Sequence, residues 1–132
     1  MGFFKRLLGI CQTREPSDAG CWMFVKSEIS VDLARTPELS LKGSSIRLEG
    51  RSLPTRVLVV HGHDGEFYAF VNKCTHAGRR LDPLADPGKI QCCSIGKSTF
   101  DYTGKKLSGT AKGDLKSLTT ETKDNKVIIK SS

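Results

Sequence analysis

Two stretches of this sequence decide how the rest is interpreted: CTHAG at residues 74–78 and CCSIGKSTFD at residues 92–101. Cys74 and His76 lie two positions apart, and sixteen residues separate His76 from Cys93. In a loop, this spacing can turn a thiolate and an imidazole towards one centre, and both groups bind zinc and iron–sulfur clusters. A single cysteine is more often a small buried hydrophobic residue. The combination of C-x-H with a later pair of cysteines favours a metal site.

The segments around both stretches are predicted to be short strands. Apolar runs on either side of Asp64-Gly65 indicate a hairpin, and Asp124-Asn125 provides a second turn. Only Ala34–Leu39 has a helical pattern, enough for one or two turns. The predicted strands are Ser27–Leu33, Ser44–Leu48, Arg56–Val60, Glu66–Asn72, Lys89–Cys92, Thr99–Tyr102, Leu118–Lys123 and Lys126–Lys130. Regularly spaced short strands predict an all-β fold, either an antiparallel sandwich or a small barrel.

Two loops interrupt this regular spacing, at residues 73–88 and 93–99. They flank the single predicted strand Lys89–Cys92, so their tips can lie side by side in a sheet built of hairpins. The sequence therefore predicts one site that is shared by the two loops.

The composition restricts the class of protein. With 132 residues, of which 37% are hydrophobic, the chain can form one compact domain with a modest core. No apolar run approaches the roughly 18 residues that span a bilayer. The net charge of +7 favours acidic partners, although a merely solvated basic surface is commoner. The basic residues are dispersed and not interleaved with aromatics, which argues against nucleic-acid binding.

The N-terminal part has a different character from the rest. Residues 1–21 are predicted to be a basic, apolar segment and linker ahead of a domain at residues 22–132. This segment could contact a membrane surface, but a disordered or core-docked terminus is favoured. The opening residues do not fit a secretory leader and the five cysteines are an odd number, so we expect a cytoplasmic location. Cys11 and Cys21 could clip the N-terminal segment to the domain or be reactive thiols, but unpaired surface cysteines are the favoured interpretation.

The two cysteine stretches resemble the Rieske family. Its domains carry C-x-H, about sixteen residues, then C-x-x-H-G-x-x-F-D, a glycine-rich turn and a G-P-A segment. This chain has Phe100-Asp101 at the matching spacing, the turn TGK at residues 103–105, and GTA at residues 109–111, with Thr110 in place of proline. The similarity extends over about Lys26–Lys130. It implies a Rieske-like fold with two loops that bind a [2Fe–2S] cluster.

The chain departs from the family at the second cluster histidine. When Cys93 is aligned with the second cysteine, Gly96 stands at the histidine position; when Cys92 is used instead, Ile95 stands there. A Rieske cluster has two cysteines on one iron and two histidines on the other. The resemblance therefore implies only three ligands: Cys74, His76 and Cys93.

A fourth ligand must come from elsewhere if a cluster is bound. Cys92 is the leading candidate because it is adjacent and chemically competent. Neighbouring residues of a strand face opposite ways, so Cys92 qualifies only if the chain turns at this point. Ser94, His61 and His63 are weaker candidates, and the favoured interpretation of the two histidines is that they are exposed turn residues.

The resemblance implies a small ferredoxin-like electron-transfer protein or oxidoreductase component rather than a stand-alone enzyme. The alternatives are a cluster-free Rieske-fold binding or subunit module, and a structural zinc domain that uses Cys74, His76, Cys92 and Cys93. Between residues 73 and 116 there are nine basic and four acidic residues. We therefore expect a basic rim around the site that attracts an acidic redox partner, a reductase or oxygenase component.

Overall fold

The computed structural model describes residues 11–75, 78–93 and 98–130, which form an all-β structure. Its strands are β1 (Trp22–Val25), β2 (Glu28–Asp32), β3 (Ser45–Leu48), β4 (Val57–His61), β5 (Phe67–Val71), β6 (Leu81–Pro83), β7 (Lys89–Cys92), β8 (Thr99–Asp101), β9 (Lys106–Ser108), β10 (Ser117–Lys123) and β11 (Lys126–Lys130). Short 3₁₀ turns cover Ala19–Cys21, Leu33–Arg35 and Pro37–Leu39. No helix in the described ranges has the length and apolar character needed to span a membrane.

The strands form two antiparallel sheets. The larger sheet has the order β1-β2-β11-β10-β5-β4-β3, and the smaller sheet has the order β6-β7-β8-β9. β4 and β5 pair on either side of the predicted Asp64-Gly65 turn, and β10 and β11 pair across Asp124-Asn125. Asp124 and Asn125 both have positive φ angles, which the type I′ hairpin turn requires and these residue types tolerate. The predicted all-β, antiparallel fold class is confirmed.

Strand β4 separates two hydrophobic cores. Its first four residues are buried, and alternate side chains of a strand point to opposite faces. Val57 and Val59 pack in a first core that includes Trp22. Leu58 and Val60 pack in a second core that contains Phe70, Cys74, Leu81, Ile90, Cys92, Phe100, Ala111 and Leu115. The second core connects the smaller sheet to the larger one. The described parts of the two loops at residues 73–88 and 93–99, which we call the cysteine loops, lie at its edge.

The predicted strands agree closely with the observed ones. The predicted strands Lys89–Cys92 and Lys126–Lys130 begin and end at the observed residues. The other six predicted strands differ from the observed ones by one residue at one or both ends. The prediction lacks β1, β6 and β9, of which β6 and β9 have three residues each and are too short to show alternation. The segment Ala34–Leu39, predicted to be helical, lies within two consecutive 3₁₀ turns. The apolar start of the chain, residues 1–10, is outside the described residues.

Candidate metal centre

The two cysteine loops are connected by a pair of consecutive carbonyl groups. The backbone N–H of Cys74 donates to the carbonyl of Arg79 at 2.7 Å, and the N–H of Cys93 donates to the carbonyl of Arg80 at 2.9 Å. The segment that leads into β6 therefore lies between both loops and fixes their relative position. The described parts of the two loops are therefore neighbours, whereas residues 76–77 and 94–97, which include the loop tips, lie outside the described residues.

The first loop is also held by buried polar groups. The Arg56 guanidinium donates to the carbonyls of Asn72 (3.1 Å) and Gly78 (2.5 Å), which lie on either side of Cys74. The side-chain oxygen of the fully buried Asn72 accepts from the N–H of Leu81 at 2.8 Å. Because buried backbone groups need partners, these bonds determine the path of the loop.

A third loop, residues 109–113, crosses both cysteine loops. The N–H of Ala111 donates to Ser98 Oγ at 2.8 Å, and Thr75 Oγ1 donates to the carbonyl of Gly113 at 2.7 Å. Gly109 approaches so closely that a Cβ there would lie 2.3 Å from Ser98 Cα. This is the segment that the resemblance assigns to covering the cluster, with Thr110 in place of proline. Its bonds to both loops do not require that proline.

Three of the four predicted ligands lie in the described residues, and all three are buried. Cys74 and Cys92 pack in the second core, whereas Cys93 forms a disulfide with Cys11. His76 lies outside the described residues, as do the alternative ligand Ser94 and position 96, where the sequence has glycine.

The N-terminal cysteines differ from their prediction as unpaired surface residues. Cys11 is disulfide-bonded to Cys93, 82 positions away, and Cys21 is 1% exposed in the first core. Burial raises the pKa of the Cys21 thiol, so this residue is a poor thiolate source. The prediction was wrong for Cys21 because the 3₁₀ turn Ala19–Cys21 buries it before β1. It was wrong for Cys11 because Gln12 and Thr13 bond to Asp82 in β6, which brings Cys11 to Cys93.

The two other histidines are not the exposed turn residues that were expected. His61 Nδ1 lies 2.7 Å from the carbonyl of Leu39, and its ring stacks on Phe67 with centroids 4.4 Å apart. His63 Nδ1 lies 3.1 Å from the hydroxyl of Tyr102. Both imidazoles are half-buried and have structural partners.

Two acidic residues next to the site were not found by sequence reasoning. The Glu49 carboxylate binds the Arg80 guanidinium through two bonds of 2.7 and 2.9 Å and Arg47 through one of 3.0 Å. These bonds, that from Arg80 above all, lower the pKa of Glu49 to about 2. Asp82 is 1% exposed, and its carboxylate accepts the N–H groups of Gln12 and Thr13 at 2.7 and 2.9 Å. No local pattern in the sequence marks either residue, because all these partners except Arg47 are distant along the chain.

The charge near the site is less positive than the sequence count suggests. Arg80 is paired with Glu49, and Lys89 is paired with Asp86 at 2.7 Å. Four basic residues near the first and third loops are exposed: Lys73, Arg79, Lys112 and Lys116. Among the described residues, these four form a basic surface beside the cysteine loops; Lys97 of the second loop lies outside the described residues.

Comparison with known proteins identifies the family. The family model of the Rieske [2Fe–2S] domain matches residues 30–119, which is more than half of the chain. The chain belongs to this family. Rieske domains bind a [2Fe–2S] cluster, and the match includes both cysteine loops.

Individual Rieske proteins are similar over different parts of the chain. The glycine betaine monooxygenase oxygenase subunit of Pseudomonas aeruginosa is 35% identical over 81 residues, which are 59% of this chain and 18% of that subunit. The cyanobacterial plasma membrane Rieske protein of Synechocystis PCC 6803 is 32% identical, with a TM-score of 0.53 over 64% of this chain and 85% of that chain. A chain in the complex of reduced oxygenase and oxidized ferredoxin of carbazole 1,9a-dioxygenase has a TM-score of 0.67 at 20% identity. That match covers 82% of this chain and 96% of the other.

The residues present fit an iron–sulfur cluster in their chemistry. Cys74 and Cys92 are thiols beside the two linked loops, and Cys11 and Cys93 bring two further sulfur atoms to the second loop. Sulfur is the preferred donor for such clusters. The set does not match the usual two-cysteine, two-histidine pattern, since position 96 is glycine. Cys93 can bind iron only when its disulfide with Cys11 is reduced.

Proposed function

We propose that this chain is a small one-electron carrier whose [2Fe–2S] cluster is held by Cys74, His76, Cys93 and a fourth ligand that is not histidine. The observation that carries the proposal is the bridge between Cys74 and Cys93 through the Arg79 and Arg80 carbonyls. When bound, the cluster supplies a site that accepts and releases single electrons. The chain's own part is to hold the loops together, cover them with residues 109–113 and exclude water.

The first test is metal and sulfide analysis of protein purified without oxygen and with a dithiol reductant. Iron and acid-labile sulfide in equal amounts, with a reddish-brown colour, support the proposal. Cys74→Ser should lower the iron content about tenfold or more, because loss of even a supporting partner of a ligand has such effects. Cys21→Ser is the matched control, since Cys21 lies in the first core, and should retain wild-type iron.

The redox potential reports the type of fourth ligand. A thiolate donates more charge to iron than a neutral imidazole, so it stabilises the oxidised state. We expect a potential below the Rieske range of about −150 to +300 mV and towards the roughly −400 mV of plant-type ferredoxins. Only His76 would remain to couple protons, so titration across pH should reveal at most one linked proton. Two linked protons and a high potential would contradict a non-histidine fourth ligand.

The partner is proposed to be an acidic redox protein, such as an oxygenase or reductase component. Exposed Lys73 and Arg79 next to the first loop support this proposal. Oxidation of the reduced protein by anionic ferricyanide should slow as salt is added, and should slow further in Lys73→Glu. Lys123→Glu, which changes an exposed lysine at the β10–β11 turn, should have a smaller effect. A rate that is independent of salt would contradict a basic docking face.

The reduced form of the site requires a reducing compartment, so we propose a cytoplasmic location.

One observation favours a second function, a cluster-free module on the same fold: the Cys93 sulfur is bonded to Cys11. Purified protein with neither iron nor sulfide after anaerobic reconstitution would favour that module. Stoichiometric zinc without sulfide would favour a structural zinc domain instead.

A further inference from the structure

The sulfur of Cys11 reaches the second cysteine loop. It is bonded to the sulfur of Cys93, and both sulfur atoms lie within 4.8 Å of a carboxylate oxygen of buried Asp82. The chain thus brings two thiolate donors to one point, although 82 positions separate them in the sequence. These three side chains are potential metal ligands.

The position of Cys11 does not depend on the disulfide alone. The next two residues, Gln12 and Thr13, donate their N–H groups to the carboxylate of Asp82 at 2.7 and 2.9 Å. The Thr13 hydroxyl lies 2.7 Å from Ser45 Oγ, and the Arg14 carbonyl accepts from the N–H of Arg47 at 3.0 Å. Residues 11–14 are therefore fastened to the domain by four hydrogen bonds that do not involve the disulfide.

Cys92 is less well placed than Cys11 to act together with Cys93. It is paired with Leu81 in the ladder between β6 and β7, and its side chain packs in the second core. Cys92 is the last residue of β7, and Cys93 lies just beyond the end of the strand. The Cys93 sulfur is bonded to Cys11 and lies close to a carboxylate oxygen of Asp82.

We propose that Cys11 supplies the fourth ligand of the cluster, in place of the missing histidine; this inference rests on the proposed function. A dithiol reductant gives two electrons and two protons to the Cys11–Cys93 disulfide and itself becomes a disulfide. The two thiols then release their protons on binding iron. The disulfide is the oxidised, metal-free form of the same pair, because two thiols held this close can form a bond when no metal separates them.

The test compares three cysteine variants with the wild type after anaerobic reconstitution with iron and sulfide. Cys11→Ser should lower the iron content about tenfold or more, or change the electron paramagnetic resonance spectrum of the reduced cluster. Cys92→Ser and Cys21→Ser should retain the wild-type iron content and spectrum. Circular dichroism and thermal unfolding of the metal-free forms verify that Cys11→Ser is folded.

A second measurement reads the state of Cys11 directly. Iron-loaded wild-type protein is denatured without oxygen in iodoacetamide and without reductant, then digested for mass spectrometry. Alkylated peptides of both Cys11 and Cys93 are expected, since cluster ligands are released as thiols. A cross-linked Cys11–Cys93 peptide in iron-loaded protein would overturn the proposal.

The outcomes separate this inference from the proposed function. Wild-type iron and an unchanged spectrum in Cys11→Ser would overturn the assignment of Cys11 while leaving the electron carrier intact. Loss of iron in Cys92→Ser but not in Cys11→Ser would assign the ligand to Cys92. A wild type that takes up no iron or sulfide would overturn both.

Discussion

Glu49 provides a quantitative test of how the site is held, through the substitution Glu49→Gln. Its carboxylate is bound by Arg80 and Arg47, and its side chain is 17% exposed, against 41% for that of Arg80. The carbonyl of Arg80 accepts the N–H of Cys93, so this ion pair supports the second cysteine loop. Glutamine keeps the shape of the side chain but removes its charge and the two-bonded contact with the guanidinium.

The size of the effect follows from the pKa. Lowering the pKa of Glu49 from 4.5 to about 2 corresponds to about 3 kcal/mol. Solvent around the partly exposed Arg80 screens the pair, so we expect the ion pair to contribute about 1–2 kcal/mol. Because the folded-state pKa is lowered, this contribution is complete above pH 4.5 and is lost as the pH falls towards 2.

The assay is urea unfolding of the wild type and Glu49→Gln at a series of pH values. The variant should be less stable by about 1–2 kcal/mol near neutral pH, and the difference should shrink between pH 4.5 and pH 2. Glu28→Gln is the control, because Glu28 and Lys130 are both exposed and their charged atoms are 3.4 Å apart. It should change stability by less than about 0.5 kcal/mol. A Glu49→Gln difference that is constant across this pH range would refute the reasoning.

Three further substitutions test individual contacts. Gly109→Ala should lower the free energy of unfolding in urea by about 2 kcal/mol or more, because φ is +97° and the new Cβ would clash with the second cysteine loop. Gly113→Ala is the control: a Cβ there meets open space, so the free energy of unfolding should hardly change. Asn72→Ala should cost about 1–3 kcal/mol, since it leaves the buried N–H at the start of β6 without its acceptor; unchanged stability would contradict this. Ultraviolet titration should show Tyr68 ionising with a pKa of about 12, because its hydroxyl donates to Asp64, and Asp64→Asn should return that pKa towards 10.0.

The strands were predictable where burial is regular. The apolar run of β4 lies between turn residues, and the alternation in β11 matches its buried Val127 and Ile129. β6 could not be predicted in this way, because it has three residues and ends in Pro83. It is defined by its pairing with β7, a contact that no local sequence pattern records.

The sequence gives the number of charged residues around the site but not which of them are paired or buried. Arg80 is neutralised by Glu49, 31 positions earlier, and Asp82 is buried beneath the N-terminal segment. Such pairs join residues that are far apart in the sequence, so the spacing of residues along the chain does not predict them. The basic surface that remains is formed by the exposed lysines and Arg79 next to the first and third loops.

The same limitation explains why the sequence directed attention to Cys92 as the missing ligand. Cys92 is adjacent to Cys93, but its side chain packs in the second core, whereas the Cys93 sulfur is bonded to Cys11. Cys11 is remote in sequence, yet the bonds from Gln12 and Thr13 to Asp82 bring it to the Cys93 sulfur. The proposed Cys11 ligand would therefore reach the cluster from the N-terminal segment, without a change in the second cysteine loop. Cluster binding would then depend on the thiol–disulfide state of the pair, because the same two sulfur atoms cannot bond to each other and bind iron.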